Sequence, residues 1–295
     1  MLGLFTGRKY LLTGVLNDES IAWHVAAALQ AEGAEVVLTS FGRALRITAK
    51  AAGLLPRPAE VLELDVTDDA GFSRIADEVS RWDRLDGVLH SVAYAPADAL
   101  GKGFLTTPAA SALEGFRASA FSLQQLACAL APALARAEHG GSVVGMTVDT
   151  GRALPGYDWM GVFKTALASI AQYLALYLGS SGVRVNLVAA GPVETVSARG
   201  VSSFNDLADY YERWAPLGWD RNDPSRVIGA VLFLLSDLSR YTTGQVLHAD
   251  GGMHAVVGGV GAAPAVGDPA VGDPAVADPA VAGPAVAGPG LAGPE

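Results

Sequence analysis

The chain of 295 residues is poor in several residue types that whole classes of function depend on. It contains one cysteine, Cys128, so it can build neither a disulfide framework nor a thiolate metal cluster. Cys128 lies in the run Leu-Ala-Cys-Ala-Leu-Ala, where a small buried thiol is expected, and no neighbouring base marks it as a nucleophile. Lysine and arginine number 20 against 30 acidic residues and form no basic cluster, which excludes the electrostatic footprint that a nucleic-acid backbone requires. The five histidines show no metal-ligand spacing, and no paired carboxylates accompany them, so no metal site is expected. No uninterrupted apolar run approaches the roughly 18 residues of a membrane span. The N-terminus lacks a signal-peptide pattern, so the expectation is a soluble, cytoplasmic protein with no membrane partner.

The chain is 51% hydrophobic and only 17% charged, enough apolar material for one large core. Residues 1–255 read as one domain. From Val256 the composition turns to Ala, Val, Gly and Pro, with Pro264, Pro269, Pro274, Pro279, Pro284, Pro289 and Pro294 recurring every five residues. Small side chains and lost backbone donors cannot offset the entropy of ordering, so residues 256–295 are expected to form a disordered tail without a catalytic role.

Within the domain, short apolar β-rich runs alternate with helix-length segments. Strands are expected at Lys9–Leu12, Glu35–Thr39, Val61–Leu64, Gly87–His90, Ser142–Met146, Arg184–Val188 and Gln245–Ala249. Runs such as Val-Val-Leu-Thr are apolar on both faces, the pattern of strands covered on both sides by helices. The fold class is therefore α/β, a Rossmann-type doubly wound, mostly seven-stranded parallel sheet, and its ligands bind at the carboxyl ends of the strands.

Those ends carry the candidate site. After the first strand, Gly14 supplies a tight turn and Ser20 a helix N-cap, although the three-glycine dinucleotide fingerprint is missing. The second strand ends at Ser40-Phe41-Gly42-Arg43. No acid is present to bind a free ribose hydroxyl, Arg43 could instead reach a 2′-phosphate, and Phe41 could stack on an adenine. Asp65, after the third strand, would hold an adenine amino group or cap the next helix. Small residues after the fourth strand, Ser91-Val92-Ala93, let the backbone approach a flat cofactor, while His90 reads as a core residue. Tyr157 precedes Lys164 by seven residues, about two helical turns, so a phenol and an ammonium can share one cleft and stabilise negative charge on a substrate oxygen.

Taken together these residues resemble the enoyl-acyl-carrier-protein reductases of the short-chain dehydrogenase/reductase superfamily, closest to the mycobacterial type, from Gly3 through His254. The likeness is carried by Thr13-Gly14 through Ser20-Ile21-Ala22, Leu38-Thr39-Ser40-Phe41, Leu64-Asp65-Val66, His90-Ser91-Val92-Ala93, Ala153-Leu154-Pro155-Gly156-Tyr157, Ala189-Ala190-Gly191-Pro192 and Ala249-Asp250-Gly251-Gly252. The seven-residue Tyr–Lys spacing separates this branch from superfamily members with a spacing of four. The resemblance implies NADH-dependent reduction of a 2-enoyl thioester, with NADPH the alternative cofactor, acyl carrier protein or coenzyme A the carrier, and a homotetrameric assembly. It assigns Tyr157 to the thioester carbonyl and Lys164 to the nicotinamide ribose. Gly14, Ser20 and Ile21 fall to the pyrophosphate; Phe41, Asp65 and Val66 to the adenosine; Ser91, Val92 and Ala93 to the ribose and phosphate region. Gly191, Pro192, Val193 and Thr195 frame the nicotinamide.

The chain departs from that pattern at Thr147-Val148, where the family carries an aromatic at the active-site gate, and at Val193-Glu194-Thr195, where it usually has Ile-Arg-Thr. The segment 196–213, the family's substrate loop, is short and implies short or medium acyl chains. Two other readings stay open: a reductase of a ketone or another activated alkene, and a cofactor-binding subunit without turnover.

Overall fold

The computed structural model describes residues 3–101 and 104–256; the proline-repeat segment falls outside them, apart from its first residue, Val256. Seven strands form one parallel sheet: β1 (Lys9–Leu12), β2 (Glu35–Ser40), β3 (Glu60–Glu63), β4 (Gly87–His90), β5 (Ser142–Thr147), β6 (Arg184–Ala190) and β7 (Val246–Ala249), in the order β3-β2-β1-β4-β5-β6-β7. The strands expected from the sequence are all present. β5 and β6 run further than their apolar runs suggest because Thr147 pairs with Ala189, and Ala189 and Ala190 pair with His248 and Ala249.

The doubly apolar strands are explained by two cores. Leu12, Val36, Val144 and Val188 face one side, and their neighbours Leu11, Val37, Val143 and Leu187 face the other. Helices α1 (Ile21–Ala31), α2 (Ala44–Gly53) and α8 (Ser225–Leu235) cover the first side. The second side is covered by α3 (Asp69–Ser80), α5 (Ser122–Leu134) and α6 (Asp158–Leu178). The helix α4 (Ala109–Phe116) runs into α5 through a π-turn at Arg117–Phe121, and α7 (Phe204–Trp214) follows β6. Cys128 is exposed on α5 rather than buried: in an alanine-rich helix the thiol falls on the outer face, near the Gln124 amide at 3.2 Å.

The segment Asp158–Ser181 is long and apolar enough, by length and composition, to cross a membrane. Its inner face is nonetheless committed to the sheet, with Phe163, Leu167, Ala171 and Leu174 buried.

The chain runs outward from β1 to β3 and then returns to place β4 on the other side of β1. That reversal is the topological switch point where a doubly wound sheet opens a crevice. It is stitched by Thr13, whose hydroxyl donates to Leu89 O at 3.1 Å and accepts from Ser91 N at 3.2 Å.

Candidate active site

A cleft of about 530 Å³ opens at this edge of the sheet. It gathers most of the sequence-predicted residues: Gly14, Ser20 and Ile21 after β1; Ser91, Val92 and Ala93 after β4; Tyr157 and Lys164; and Gly191, Pro192, Val193 and Thr195 after β6. Phe41, Asp65 and Val66 do not line it. Phe41 is half exposed at the end of β2, and Val66 is buried in the core on the α3 side. Asp65 accepts from Thr67 N at 2.8 Å and its hydroxyl at 2.7 Å, while the cap of α3 is Asp68, which accepts from Ala70 N at 3.0 Å.

Gly14 has φ +82°, and a Cβ there would lie 2.0 Å from Ser91 O, so only glycine lets the β1 and β4 loops meet. Ser20 is the N-cap of α1, as its position suggests, but its hydroxyl turns away from the helix. It accepts from Leu16 N at 3.1 Å and Asn17 N at 3.2 Å, ordering the approach loop. The helix N-terminus is thereby left without a side-chain cap, and the amides of Ile21 and Ala22 are available to an anion, while Trp23 N already donates to Ser20 O at 2.9 Å. Across the cleft, a Cβ on Gly191 would lie 2.6 Å from the Trp219 ring, whose indole donates to Pro192 O at 2.7 Å. Trp219 supports the β6 turn from a distant segment, and no sequence pattern marks it. These features, a turn that excludes Cβ atoms and an uncapped helix N-terminus, fit a dinucleotide diphosphate.

Tyr157 is half-buried at the N-cap of α6, not inside the helix, and its phenol makes no hydrogen bond among the described residues. Burial pushes it up to about 12, so at neutral pH it is a protonated donor. It is flanked by two residues with positive φ, Gly156 (+76°) and Asp158 (+46°). Lys164 is 4% exposed and donates to Met146 O at 2.8 Å and Val92 O at 3.5 Å, at the ends of β5 and β4. Desolvation lowers it to about 8. His90, fully buried, approaches Ser122 Oγ at 2.8 Å through Nε2; burial, then Lys164, lowers it to about 3 and keeps it neutral. Its Nδ1 has no partner among the described residues, so it is a core residue only partly satisfied.

Both departures fall at this site. Thr147 and Val148 line the cleft where the aromatic was expected. Glu194 is neutralised by Arg199 at 2.9 Å, and Arg199 also pairs with Glu19 at 3.1 Å, next to Ser20. The reversed charge is thus part of an ion-pair bridge between the β1 and β6 loops. The far wall, Phe204, Leu207 and Tyr211 of α7, falls within the 196–213 segment that the resemblance assigns to the substrate, and the amphipathic pattern of that helix turns these residues inward.

A doubly wound sheet with a cleft at its switch point, holding a protonated phenol and a desolvated lysine, defines a nucleotide-dependent reductase of the short-chain type. The family described as enoyl-(acyl carrier protein) reductase matches residues 14–254. An NADH-dependent enoyl-acyl-carrier-protein reductase of Mycolicibacterium smegmatis is 40% identical over 267 residues, covering 85% of this chain and 98% of that protein. The Mycobacterium avium enzyme of the same name is 38% identical over 266 residues, covering 85% and 98%. A Bacillus subtilis enzyme of that name is 36% identical over 255 residues, covering 84% and 96%. The chain belongs to the enoyl-(acyl carrier protein) reductase family.

Proposed function

We propose that the protein uses NADH to reduce the 2,3 double bond of an enoyl thioester, carried by acyl carrier protein or coenzyme A, in the cytoplasmic synthesis of fatty or other acyl chains. The observation that carries this reading is the meeting of Tyr157 and Lys164 in one switch-point cleft, the phenol protonated and free to donate. Bound in the cleft, the reduced nicotinamide supplies the hydride. Tyr157 holds its proton at Oη and donates a hydrogen bond to the thioester carbonyl as enolate charge develops there, a placement that favours the transition state over the ground state. Lys164 adds positive potential and orients the ribose hydroxyls, its ammonium already aimed by Met146 O and Val92 O. Gly14, Ser20 and Ile21 hold the diphosphate. Phe41, Asp65 and Val66, at the ends of β2 and β3 and outside the cleft, would hold the adenosine. Gly191, Pro192, Val193 and Thr195 keep water from the nicotinamide side.

The outer face of α6 supports a homo-oligomer. Tyr173, Leu176 and Tyr177, spaced three and four residues apart, are 62%, 69% and 73% exposed. A second copy would cover this contiguous apolar stripe. The role proposed for residues 256–295 is an appendage dispensable for turnover.

The assay follows loss of NADH absorbance with 2-enoyl thioesters on carrier protein and on coenzyme A, beside a β-ketoacyl thioester. Oxidation with the enoyl substrates is expected. Reaction with the ketone alone, or cofactor binding with no turnover, would defeat the proposal.

A further inference from the structure

Thr147, the last residue of β5, carries a hydroxyl that the fold does not use. Its backbone is committed to the sheet, paired with Ala189 of β6. Strand alternation turns its side chain to the same face as Val143, the face that α6 covers, and so to the side of the cleft that holds Tyr157 and Lys164. Thr147 is 3% exposed, about as buried as Lys164, and it lines the cleft. The nearest acceptor among the described residues is Val148 O at 3.5 Å, too long for a hydroxyl donor. Other buried hydroxyls reach a carbonyl at proper range: Thr48 donates to Val15 O, Ser122 to Ala118 O and Ser142 to Leu234 O, each at 2.7 Å. A buried hydroxyl without a partner costs stability that a valine would not. The cost falls at one of the two residues where the chain departs from the aromatic gate of its family.

The cleft therefore holds two unspent donors, the Tyr157 phenol and the Thr147 hydroxyl. Resting on the enoyl-thioester reading, we propose that Thr147 is a further catalytic residue, whose hydroxyl joins Tyr157 in holding the thioester oxygen as the enolate forms. Hydride addition to the β-carbon pushes the alkene electron pair towards that oxygen, and two donors fixed beforehand stabilise the charge better than one. Thr147 keeps its proton throughout, because an aliphatic hydroxyl is too weak an acid to release it. It acts by hydrogen bonding alone.

Thr147→Val removes the hydroxyl with little change of shape, and Thr147→Ser retains it. With saturating NADH and butenoyl coenzyme A, kcat is expected to fall by at least about tenfold in Thr147→Val, less than on removing a lone oxyanion donor because Tyr157 remains. Thr147→Ser keeps most of the turnover. The NADH Kd, titrated directly, is unchanged in both variants, and the urea midpoint of Thr147→Val is equal to that of wild type or higher. The hydrogen bond itself is read by infrared spectroscopy of butanoyl coenzyme A, labelled with carbon-13 at its carbonyl and bound with NAD⁺. The carbonyl stretch moves to higher wavenumber in Thr147→Val and stays in place in Thr147→Ser. A smaller fall in kcat, an equal loss in Thr147→Ser, a weaker hold on NADH, a lower urea midpoint or an unshifted band overturns the role. Absence of wild-type turnover with any enoyl thioester defeats the enoyl reading, and this proposal with it.

Discussion

Replacing Lys164 by methionine should leave the protein as stable as wild type, or more so, while weakening its hold on NADH. The ammonium is almost completely removed from water, and desolvation lowers it from 10.5 to about 8. At ~1.4 kcal/mol per pKa unit, the folded state carries a penalty of about 3 kcal/mol for keeping it charged at pH 7. Methionine fills similar volume without charge, at the cost of leaving Met146 O without its close donor, about 1–3 kcal/mol, while Val92 O at 3.5 Å loses only a marginal contact. The net change lies between neutrality and a gain of about 2 kcal/mol.

The pH dependence gives a second arm. Between pH 8 and 10.5 the unfolded chain binds a proton on Lys164 that the folded chain has released, so wild-type stability rises with pH through that window. The variant lacks this contribution, so wild type gains on it by about 3 kcal/mol from pH 7 to above 10.5. Urea unfolding followed by circular dichroism at fixed protein concentration measures both. A variant more than about 2 kcal/mol less stable at pH 7, or parallel pH curves, would show that the cation is not held against a desolvation cost.

Tyr157→Phe should lower turnover by about two to three orders of magnitude with little change in the NADH dissociation constant, because the phenol acts on developing charge; unchanged kinetics would remove it from the mechanism. Lys164→Ala should raise the NADH dissociation constant in a direct binding titration, and an unaltered constant would separate Lys164 from the ribose. Gly14→Ala should destabilise by at least about 2 kcal/mol in denaturant unfolding, since it combines a strained φ with contact against Ser91 O. Arg199→Ala removes the Glu19–Glu194 bridge, so NADH should leave a few-fold faster in stopped flow at low salt, and the difference should vanish at high salt. A chain ending at Val260 should keep its turnover; a large loss would give the proline-repeat segment a catalytic role.

The strands were legible because burial on two faces leaves a distinctive signal, with Leu11 and Leu12 entering opposite cores. Their ends led directly to Gly14, Ser91 and Gly191, since the fold requires ligands there. Contacts between distant segments were not legible: nothing in the run around Trp219 announces that its indole supports Pro192. Local choices among equivalent polar residues were also hidden. Asp65 and Asp68 both suit a helix start, and only the backbone path makes Asp68 the cap and Asp65 the preceding turn. The partners of Arg199 were hidden too: it is engaged by two glutamates, one of them the residue that reverses the expected charge after β6.

The Tyr157–Lys164 spacing met its purpose by a different geometry from the helical one it suggests. The helix α6 begins at Asp158, so Tyr157 is not on a helical face two turns from Lys164. Its direction is set by the positive φ of the residues on either side, Gly156 and Asp158. For a non-glycine residue that conformation costs about 1–3 kcal/mol, and Asp is among the few side chains that tolerate it. Asp158 bears a further cost, a buried Oδ2 with no partner among the described residues. Strain and an unsatisfied carboxylate oxygen at the residue joining the phenol to the helix of its lysine are unfavourable for folding alone. Their concentration there, where neither packing nor capping calls for them, is the expected mark of a backbone constrained by the position of the Tyr157 hydroxyl.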